Sequence, residues 1–466
     1  MTLENNIRKK LGPSKDYIFK KLTINKQKVL LIFNETLIDT ARTNDFILRN
    51  LIILKKRELK NLESHLPNTT IKRINKNEIL NNLSLGFIII IYKNNIYATE
   101  IKALLDRGVQ TIESELSTTG PKDSFSENYN TNVGLIRKRL KTTDLFIESI
   151  ELGTITKTKI GIAYMNNIAK KDIISNIKKK LEKINIDGII DASYLKKVLE
   201  KKYSIFPTII ATERPDKVAM ALLEGKIAII TDMSPFVIII PSFFIDFFHT
   251  TDDYYQKTLN TSFIRIIRLL AFAIAVFTPA IYIAITTRNY DLIPLNLLMT
   301  LKAGRTFVPF PAYIEALFMI ICFEILKEAD LRMSTSAGSS ISILGGLILG
   351  DAAVSAGIVS PIMIIIIAIS SIAGLTFQSI ELSNALRTYK IILLILATLL
   401  GLNGLLIGTT IIFYTLLTTK NFGVSYLSPI IPYEKNEIKD SIIKTSEKEE
   451  YRNSQLTNNI KRGNYK

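Results

Sequence analysis

The sequence predicts a soluble N-terminal α/β domain of two subdomains, followed by an all-α polytopic transmembrane helical domain. Three observations predict it. A mean hydropathy of +0.23 coexists with 22% charged residues, and a chain holds both only when polar and apolar residues are segregated along it. As far as about residue 204, short Ile- and Val-rich runs alternate with charged amphipathic segments, the texture of strands and helices in a soluble sheet protein. Beyond Glu213 the apolar runs lengthen toward the thickness of a bilayer.

Taken in order, residues 1–15 read as an N-terminal extension. Glu4, Arg8, Lys9 and Lys10 stand there with no apolar run behind them, which predicts no cleaved signal peptide and a cytoplasmic N-terminal half. The soluble domain spans 16–212, with subdomains at about 16–110 and 130–212. Its strands include 29–33 (VLLIF), 87–92 (FIIIIY) and 160–164 (IGIAY), all too short to cross a membrane. Between the subdomains, 134–141 is a basic helix, either a solvated face or a contact for a partner or lipid.

Residues 213–262 form a transition in which 227–248 is apolar but interrupted by Asp232, Pro235, Pro241 and Asp246. It reads as an interfacial or re-entrant element. The helical domain covers 263–419. Residues 263–287 form a span with Arg265 and Arg268 at its entry and a kink expected at Thr278-Pro279. The run 313–326 is apolar but short, and it carries Glu315 and Glu324. Segments 341–359 and 362–377 form a hairpin about Ser360-Pro361. Residues 389–417 form either one tilted span or one broken at Gly401-Leu402-Asn403-Gly404. The tail, 420–466, is charged, and from 432 its composition predicts disorder. Charge bias puts Arg265, Arg268, Lys327, Arg332, Arg387 and Lys390 on one side if 313–326 spans. The number of crossings, and so the side of the tail, stays open.

Composition excludes several classes of function. A net charge of +17 suits an anionic membrane surface or nucleic acid, and the apolar half decides for membrane lipid, with no nucleic acid. A single cysteine, Cys322, and two histidines, His65 and His249, leave no material for a disulfide framework, a metal site or a His-based triad. No nucleophile stands at readable spacing from a base, so an enzyme is not expected, and no cofactor.

Candidate membrane sites come from small residues and charges. Ser342, Gly346 and Gly350 recur every four residues, and Val354 and Gly357 continue the segment. Such a stripe serves either intramolecular packing or the packing of several copies around a pore. Asp351 follows it, as a pore carboxylate or a helix-end residue. Glu315 and Glu324, nine residues apart, lie on opposite helix faces. A local ion pair with Lys327 is the expected role of Glu324. Gly404 and Gly408 form a second small-residue pair, read as packing.

Several blocks resemble a known family. They include GPKDSFSENYNTNVGLIRKRL at 120–140, TERPDKVAMALLEG at 212–225, SPFVIIIPSFFIDFF at 234–248 and DDYY at 252–255. Further blocks are SFIRIIRLLAF at 262–272, VPFPAYIEALFM at 308–319, FEILKEADLR at 323–332, AGIVSP at 356–361 and FGVSYLSPIIP at 422–432. Together they are similar to the A subunit of spore germination receptors, the GerA family of endospore-forming bacteria. The motif residues carrying the match include Glu213, Arg214, Pro215, Asp216, Pro309, Pro311, Glu315 and Glu324.

The resemblance implies a multi-pass subunit of a nutrient receptor in the spore inner membrane. It implies a homo-oligomer, a pentamer, that releases ions when nutrient binds. It also implies a transporter-like B subunit and a lipoprotein C subunit as partners. Within the family, a stage V sporulation AF-type ion-release channel subunit is the alternative; outside it, a small-solute secondary transporter or a non-conducting scaffold. The chain departs from the family pattern at Thr119, Lys122, Ile320, Asp351, Ser355 and Gln378. Three of these move carboxylates within the apolar half, so nutrient specificity does not follow.

Overall fold

The computed structural model describes residues 3–56, 58–66, 70–103, 115, 117–200, 204–332, 350–434, 437–438, 441, 443–444 and 452–458. The first subdomain is an antiparallel sheet of β1 (Tyr17–Ile24), β2 (Gln27–Asn34), β3 (Lys72–Arg73), β4 (Phe87–Tyr92) and β5 (Asn95–Glu100) in the order β1-β2-β4-β5-β3. Asn25 and Lys26 join β1 to β2 with φ of 49° and 61°, the doubly left-handed turn whose twist matches a two-residue hairpin. Strand β4 reads FIIIIY because both of its faces are covered. Ile88 and Ile90 enter one core and Ile89 and Ile91 the other. The second core is closed by α1 (Leu3–Leu11) and α2 (Ile79–Ser84), through Ile7, Leu11, Ile79 and Leu83. The stretch expected as an N-terminal extension is thus largely a helix built into the first subdomain.

The second sheet repeats the first. Its strands β6 (Leu145–Leu152), β7 (Thr158–Met165), β8 (Ile210–Thr212), β9 (Ile227–Thr231) and β10 (Val237–Ile240) lie in the order β6-β7-β9-β10-β8, all antiparallel. Numbered within each sheet, the two orders are identical. Helices α3 (Tyr129–Arg139) and α6 (Pro215–Leu223) cover one face, while α4 (Lys171–Glu182) and α5 (Ala192–Leu199) cover the other.

Two expectations are corrected here. Residues 227–248 are neither interfacial nor re-entrant, because β9 and β10 are buried central strands and Phe244–Phe248 is a short 3-10 turn beside them. The expected boundary after 212 therefore falls inside the second sheet. Uninterrupted apolar runs arise from burial on both faces of a sheet as readily as from lipid. The basic helix is no solvated face either. Arg137 on α3 is 2% exposed and pairs with Asp16, so it ties the first subdomain to the second.

The chain then enters α7 (Thr258–Thr287), followed by α8 (Leu295–Ala303), α9 (Ala312–Arg332), α10 (Pro361–Gly374), α11 (Ile380–Leu400) and α12 (Leu402–Thr418). Helices α7 and α11 are long and apolar enough to cross a membrane; α10 and α12 are apolar but shorter, at 14 and 17 residues. Of the two readings of 389–417, the broken one is correct. Gly401 turns with φ of 62°, Leu402 N–H donates to Asn289 Oδ1 at 3.1 Å, and α12 folds back on α11. A Cβ on Gly404 would lie 2.0 Å from Leu396 O and one on Gly408 2.3 Å from Leu393 Cδ2, so this glycine pair is a packing surface.

The start of α11 and the segment after α12 both meet the second sheet, at one end of the helical layer. Lys196 on α5 pairs with Glu381 at the start of α11 at 2.6 Å, and after α12 the Tyr426 hydroxyl donates to Pro207 O at 2.5 Å. The opposite, far end is marked by Arg288 Nε donating to Thr398 O at 3.3 Å. The described part of the tail is ordered against the expectation of disorder from 432. Leu456 is buried in the second sheet's core, and Thr457 bridges Ala169.

Pro279 lies inside α7 and donates no hydrogen bond to Ala275, four residues back. Ser370 Oγ, from α10, donates to Ala275 O at 2.8 Å, so a neighbouring helix satisfies the carbonyl that proline leaves free. We predict that Ser370→Ala lowers stability by about 1 kcal/mol. In a Pro279→Ala background the loss should vanish, because the restored N–H takes the carbonyl. Equilibrium unfolding of the four variants of this cycle in detergent measures the coupling.

Candidate functional site: the joint between sheet and helices

The Glu213-Arg214-Pro215-Asp216 motif opens α6. Pro215 stands at the first helical position, where a missing N–H costs nothing, and Asp216 lies in the first turn, where the helix dipole favours a carboxylate. Arg214 is fully buried, yet all five of its N–H donors find acceptors. Nε and Nη2 reach the two Asp216 oxygens at 3.1 and 2.8 Å; Nη1 reaches Glu115 O at 3.2 Å and Ser117 Oγ at 2.6 Å; Nη2 also reaches Pro121 O at 3.1 Å. Glu213 holds the same loop, accepting from Glu115 N–H at 2.9 Å, while its carbonyl accepts from Phe125 N–H at 2.8 Å. The motif is therefore a clamp on Glu115 and residues 117–125.

The clamp continues into Asp252–Tyr255. Tyr255 donates to Asp216 Oδ2 at 2.8 Å, and Asp252 accepts from Thr119 N–H at 3.0 Å. Gly120, at φ of 101°, passes so close that a Cβ would lie 2.5 Å from the Tyr255 ring. Asp253 turns the other way, toward α7. It accepts from Arg265 Nε at 3.3 Å and from Arg268 Nη1 at 2.9 and 3.0 Å, with all three side chains buried. Arg265 and Arg268, three residues apart, share one helix face. Arg268 also donates to Phe248 O at 2.9 Å and Thr250 Oγ1 at 2.8 Å.

Apolar contacts run parallel to this charged chain. Phe206 stacks on Tyr389 of α11 at 4.8 Å, and Phe248 meets Phe272 of α7 and Phe377, each at 5.5 Å. One core is continuous from the second sheet into the helices. From the tail, Lys444 Nζ donates to the carbonyls of Asp253 at 2.7 Å, Gln256 at 3.2 Å and Tyr254 at 3.3 Å, while His249 Nε2 lies 2.7 Å from Ser441 O.

The electrostatics follow. Burial alone would raise the Asp253 carboxyl, but the hydrogen bonds and charge of Arg268, with the charge of Arg265, outweigh it and hold it below the usual range. At Asp216, burial is likewise outweighed by the hydrogen bonds from Arg214 and Tyr255. Burial, then the Arg265 charge, pushes the His249 imidazole down to about 3. At neutral pH it is uncharged and donates to Ser441.

The membrane candidates scatter by comparison. Ser342 and Gly346 lie outside the described residues. Gly350 is the first described residue of a helical stretch, 350–355, where among the described residues its Cβ would meet only Ile364, at 3.8 Å. Asp351 is exposed and Val354 half-buried. Gly357, at φ of 66°, would place a Cβ 3.2 Å from Phe307 O at the far end. Pro309 and Pro311 are exposed in the turn before α9. Glu315 is buried there, accepting from Arg305 Nη2 at 2.9 Å, Ser360 N–H at 2.9 Å and Ser360 Oγ at 3.0 Å. Glu324 does not pair within its helix as expected. It meets Arg387 of α11 at 3.0 Å, and Lys327 donates to Ser383 Oγ at 2.5 Å. The partner comes from another helix, a choice spacing along one helix cannot register. Sequence reasoning missed Asp253 and Lys444 altogether; the DDYY block followed by paired arginines was the available signal.

The fold and this joint define a class: a soluble two-sheet module built rigidly onto a layer of apolar helices. Residues 5–455 match the family model of the Bacillus/Clostridium GerA spore germination protein, and the chain belongs to that family. It is 35% identical over 451 residues to spore germination protein KA of Bacillus subtilis (strain 168), spanning 94% of this chain and 82% of that protein. It is 35% identical over 439 residues to spore germination protein GerQA of Bacillus cereus, spanning 93% and 88%. The uncharacterized membrane protein YfkQ of Bacillus subtilis (strain 168) is 39% identical over 345 residues, 74% of this chain and 67% of that one. The crystal structure of the N-terminal domain of the A subunit of the Bacillus megaterium spore germinant receptor GerK3 aligns with a TM-score of 0.41 and 29% identity. It covers 52% of this chain and 94% of that one.

Asp253→Asn removes the negative charge that two buried arginines share. It is expected to cost about 3–5 kcal/mol, read as a lower midpoint in denaturant unfolding of the solubilised chain. The pH dependence has a definite sign. The lowered Asp253 contributes stability that is complete above about pH 4 and lost as pH falls through its folded value. His249, folded near 3 against about 6.5 unfolded, contributes fully above 6.5 and loses it progressively down to 3. Thermal midpoints should therefore decline between about pH 6.5 and 4, and His249→Gln should flatten that limb while leaving the more acidic Asp253 limb in place.

Proposed function

We propose that the chain is the A subunit of a nutrient receptor in the spore inner membrane, and that copies of it oligomerise into an ion channel opened when nutrient binds. The observation that carries this reading is the joint. A soluble module whose core and buried charges run unbroken into α7 and α11 can transmit a displacement into the helices without a slack linker. The names of the relatives, spore germination proteins, support the same role.

The cations Arg265, Arg268, Lys327 and Arg387 lie toward the sheet end of their helices, which supports reading that end, the soluble module and the described tail as cytoplasmic. The chain then crosses the bilayer an even number of times. The partners in this reading are a transporter-like B subunit that binds the nutrient and a lipoprotein C subunit. The segment carrying Ser342, Gly346, Gly350, Asp351, Val354 and Gly357 lines the pore, where small residues allow close approach of copies and apolar rings exclude water until the gate opens.

Spores carrying Gly346→Leu or Gly350→Leu test the assignment through ion efflux after nutrient addition. Efflux is expected to be abolished, or to proceed without nutrient. Unchanged efflux and unchanged dormancy in both variants would overturn the pore.

A further inference from the structure

At the sheet end of α9 and α11, an apolar groove opens into a polar cleft. The groove has a volume of about 590 Å³ and is walled by Ile320, Ile321, Ile325, Ala329 and Ile391. The cleft, about 740 Å³, runs beneath the second sheet and shares Glu324, Glu328 and Arg387 with the groove as a common rim. We propose that this pair of spaces binds one anionic glycerophospholipid, with an acyl chain in the groove and the phosphate at Lys327 and Arg387, which line the cleft. The proposal rests on the membrane reading above but not on ion conduction.

Charge selects the headgroup. Most ions around the cleft are already matched: Arg387 with Glu324 at 3.0 Å, Lys217 with Glu115 at 2.9 Å, Arg268 with Asp253 at 2.9 Å, Lys196 with Glu381 at 2.6 Å and Lys226 with Asp246 at 2.9 Å. Glu328 has a partner of its own. Two cations are left over. Among the described residues the Lys327 ammonium, in the cleft wall, donates only to the neutral Ser383 hydroxyl, at 2.5 Å; Lys390, one turn beyond Arg387 on α11, lines neither space but stands buried behind the wall, 8% exposed and with no ion pair among the described residues, so its charge adds to the field there. A surplus of two positive charges, one in the cleft wall and one behind it, favours a phosphate.

Shape selects the chain. Ile321 and Ile325 face outward, 50% and 63% exposed, and in a bilayer such a surface is covered by hydrocarbon. A free phosphate fills the polar half alone and leaves the isoleucine groove bare. A zwitterionic lipid fills the groove, but its ammonium adds a positive charge beside the two lysines and cancels the charge its phosphate supplies.

The test uses the full purified chain in neutral detergent, with retained lipid read by native mass spectrometry and the thermal midpoint read in parallel. The probes are phosphatidylglycerol, phosphatidylcholine, inorganic phosphate and the deacylated headgroup glycerophosphoglycerol. Phosphatidylglycerol is expected to be retained and to raise the midpoint, and the other three are not. Lys327→Gln and Lys390→Gln should each weaken that retention about fivefold, since one lysine near a phosphate is worth about that factor. Ile391→Trp, filling the groove, should abolish it. Lys390 is buried, so if Lys390→Gln fails to fold, Lys327→Gln and Ile391→Trp decide. Equal retention of phosphatidylcholine, full effect from phosphate or headgroup alone, or wild-type retention in Lys327→Gln and Ile391→Trp would overturn the proposal. Failure of the chain to float with liposomes of any composition would instead refute the membrane reading.

Discussion

Asp253 facing Arg265 and Arg268 is the constraint on which the rest of the arrangement depends. A buried carboxylate between two buried guanidiniums adds little net stability, because desolvating the ions offsets most of their attraction. Its value is positional. Every alternative placement of α7 against the second sheet leaves at least one of these charges unpaired in a low-dielectric interior, and such states are strongly disfavoured. The aromatic cluster of Phe206, Phe244, Phe248, Phe272 and Tyr389 supplies apolar burial around it. Burial alone is non-directional, so the ions fix the angle and register that the rings would tolerate changing.

Much of this architecture could be read from the sequence wherever one physical cause dominated. The break at Gly401 was visible as one of two options, since glycine is the residue for a left-handed turn between helices. The FIIIIY strand was legible because strands this apolar and this short belong inside sheets. Residues 227–248 were misread for a related reason. A strand covered on both faces and a lipid-facing segment have the same composition, and only its pairing with β7 and β8 distinguishes them. Long-range partners were the least legible of all. Nothing near Arg137 announces Asp16, 121 residues away, and nothing near Lys444 announces the carbonyls 188 to 191 residues upstream.

The candidate site divided along the same line. Glu213 to Asp216 stood out as a motif, but its chemistry is structural: five donors of one arginine consumed in holding a loop. The small-residue stripe stood out for its period, and Ser342 and Gly346 lie outside the described residues. The repeated strand order of the two sheets was hidden for the opposite reason. Backbone topology persists where side-chain identity does not, since many apolar residues fill a strand position equally well.

The hydrogen bond from Ser370 to Ala275 has a mechanical meaning beyond satisfying a carbonyl. It fastens α10 to α7 near the middle of the longer helix, so neither can slide along the other without releasing a polar group into an apolar layer. Rotation about that point leaves this hydrogen bond intact, so it is opposed by the ions at Asp253 rather than by Ser370. Arg265 lies ten residues to one side of it, about 15 Å, and Thr287 twelve residues to the other, about 18 Å. Helix α7 is in effect a beam on a fulcrum with nearly equal arms. In the proposed gating, a tilt imposed at the sheet would be carried to the far end in the opposite direction, beside the turn where Phe307 approaches Gly357 and Glu315 holds Ser360.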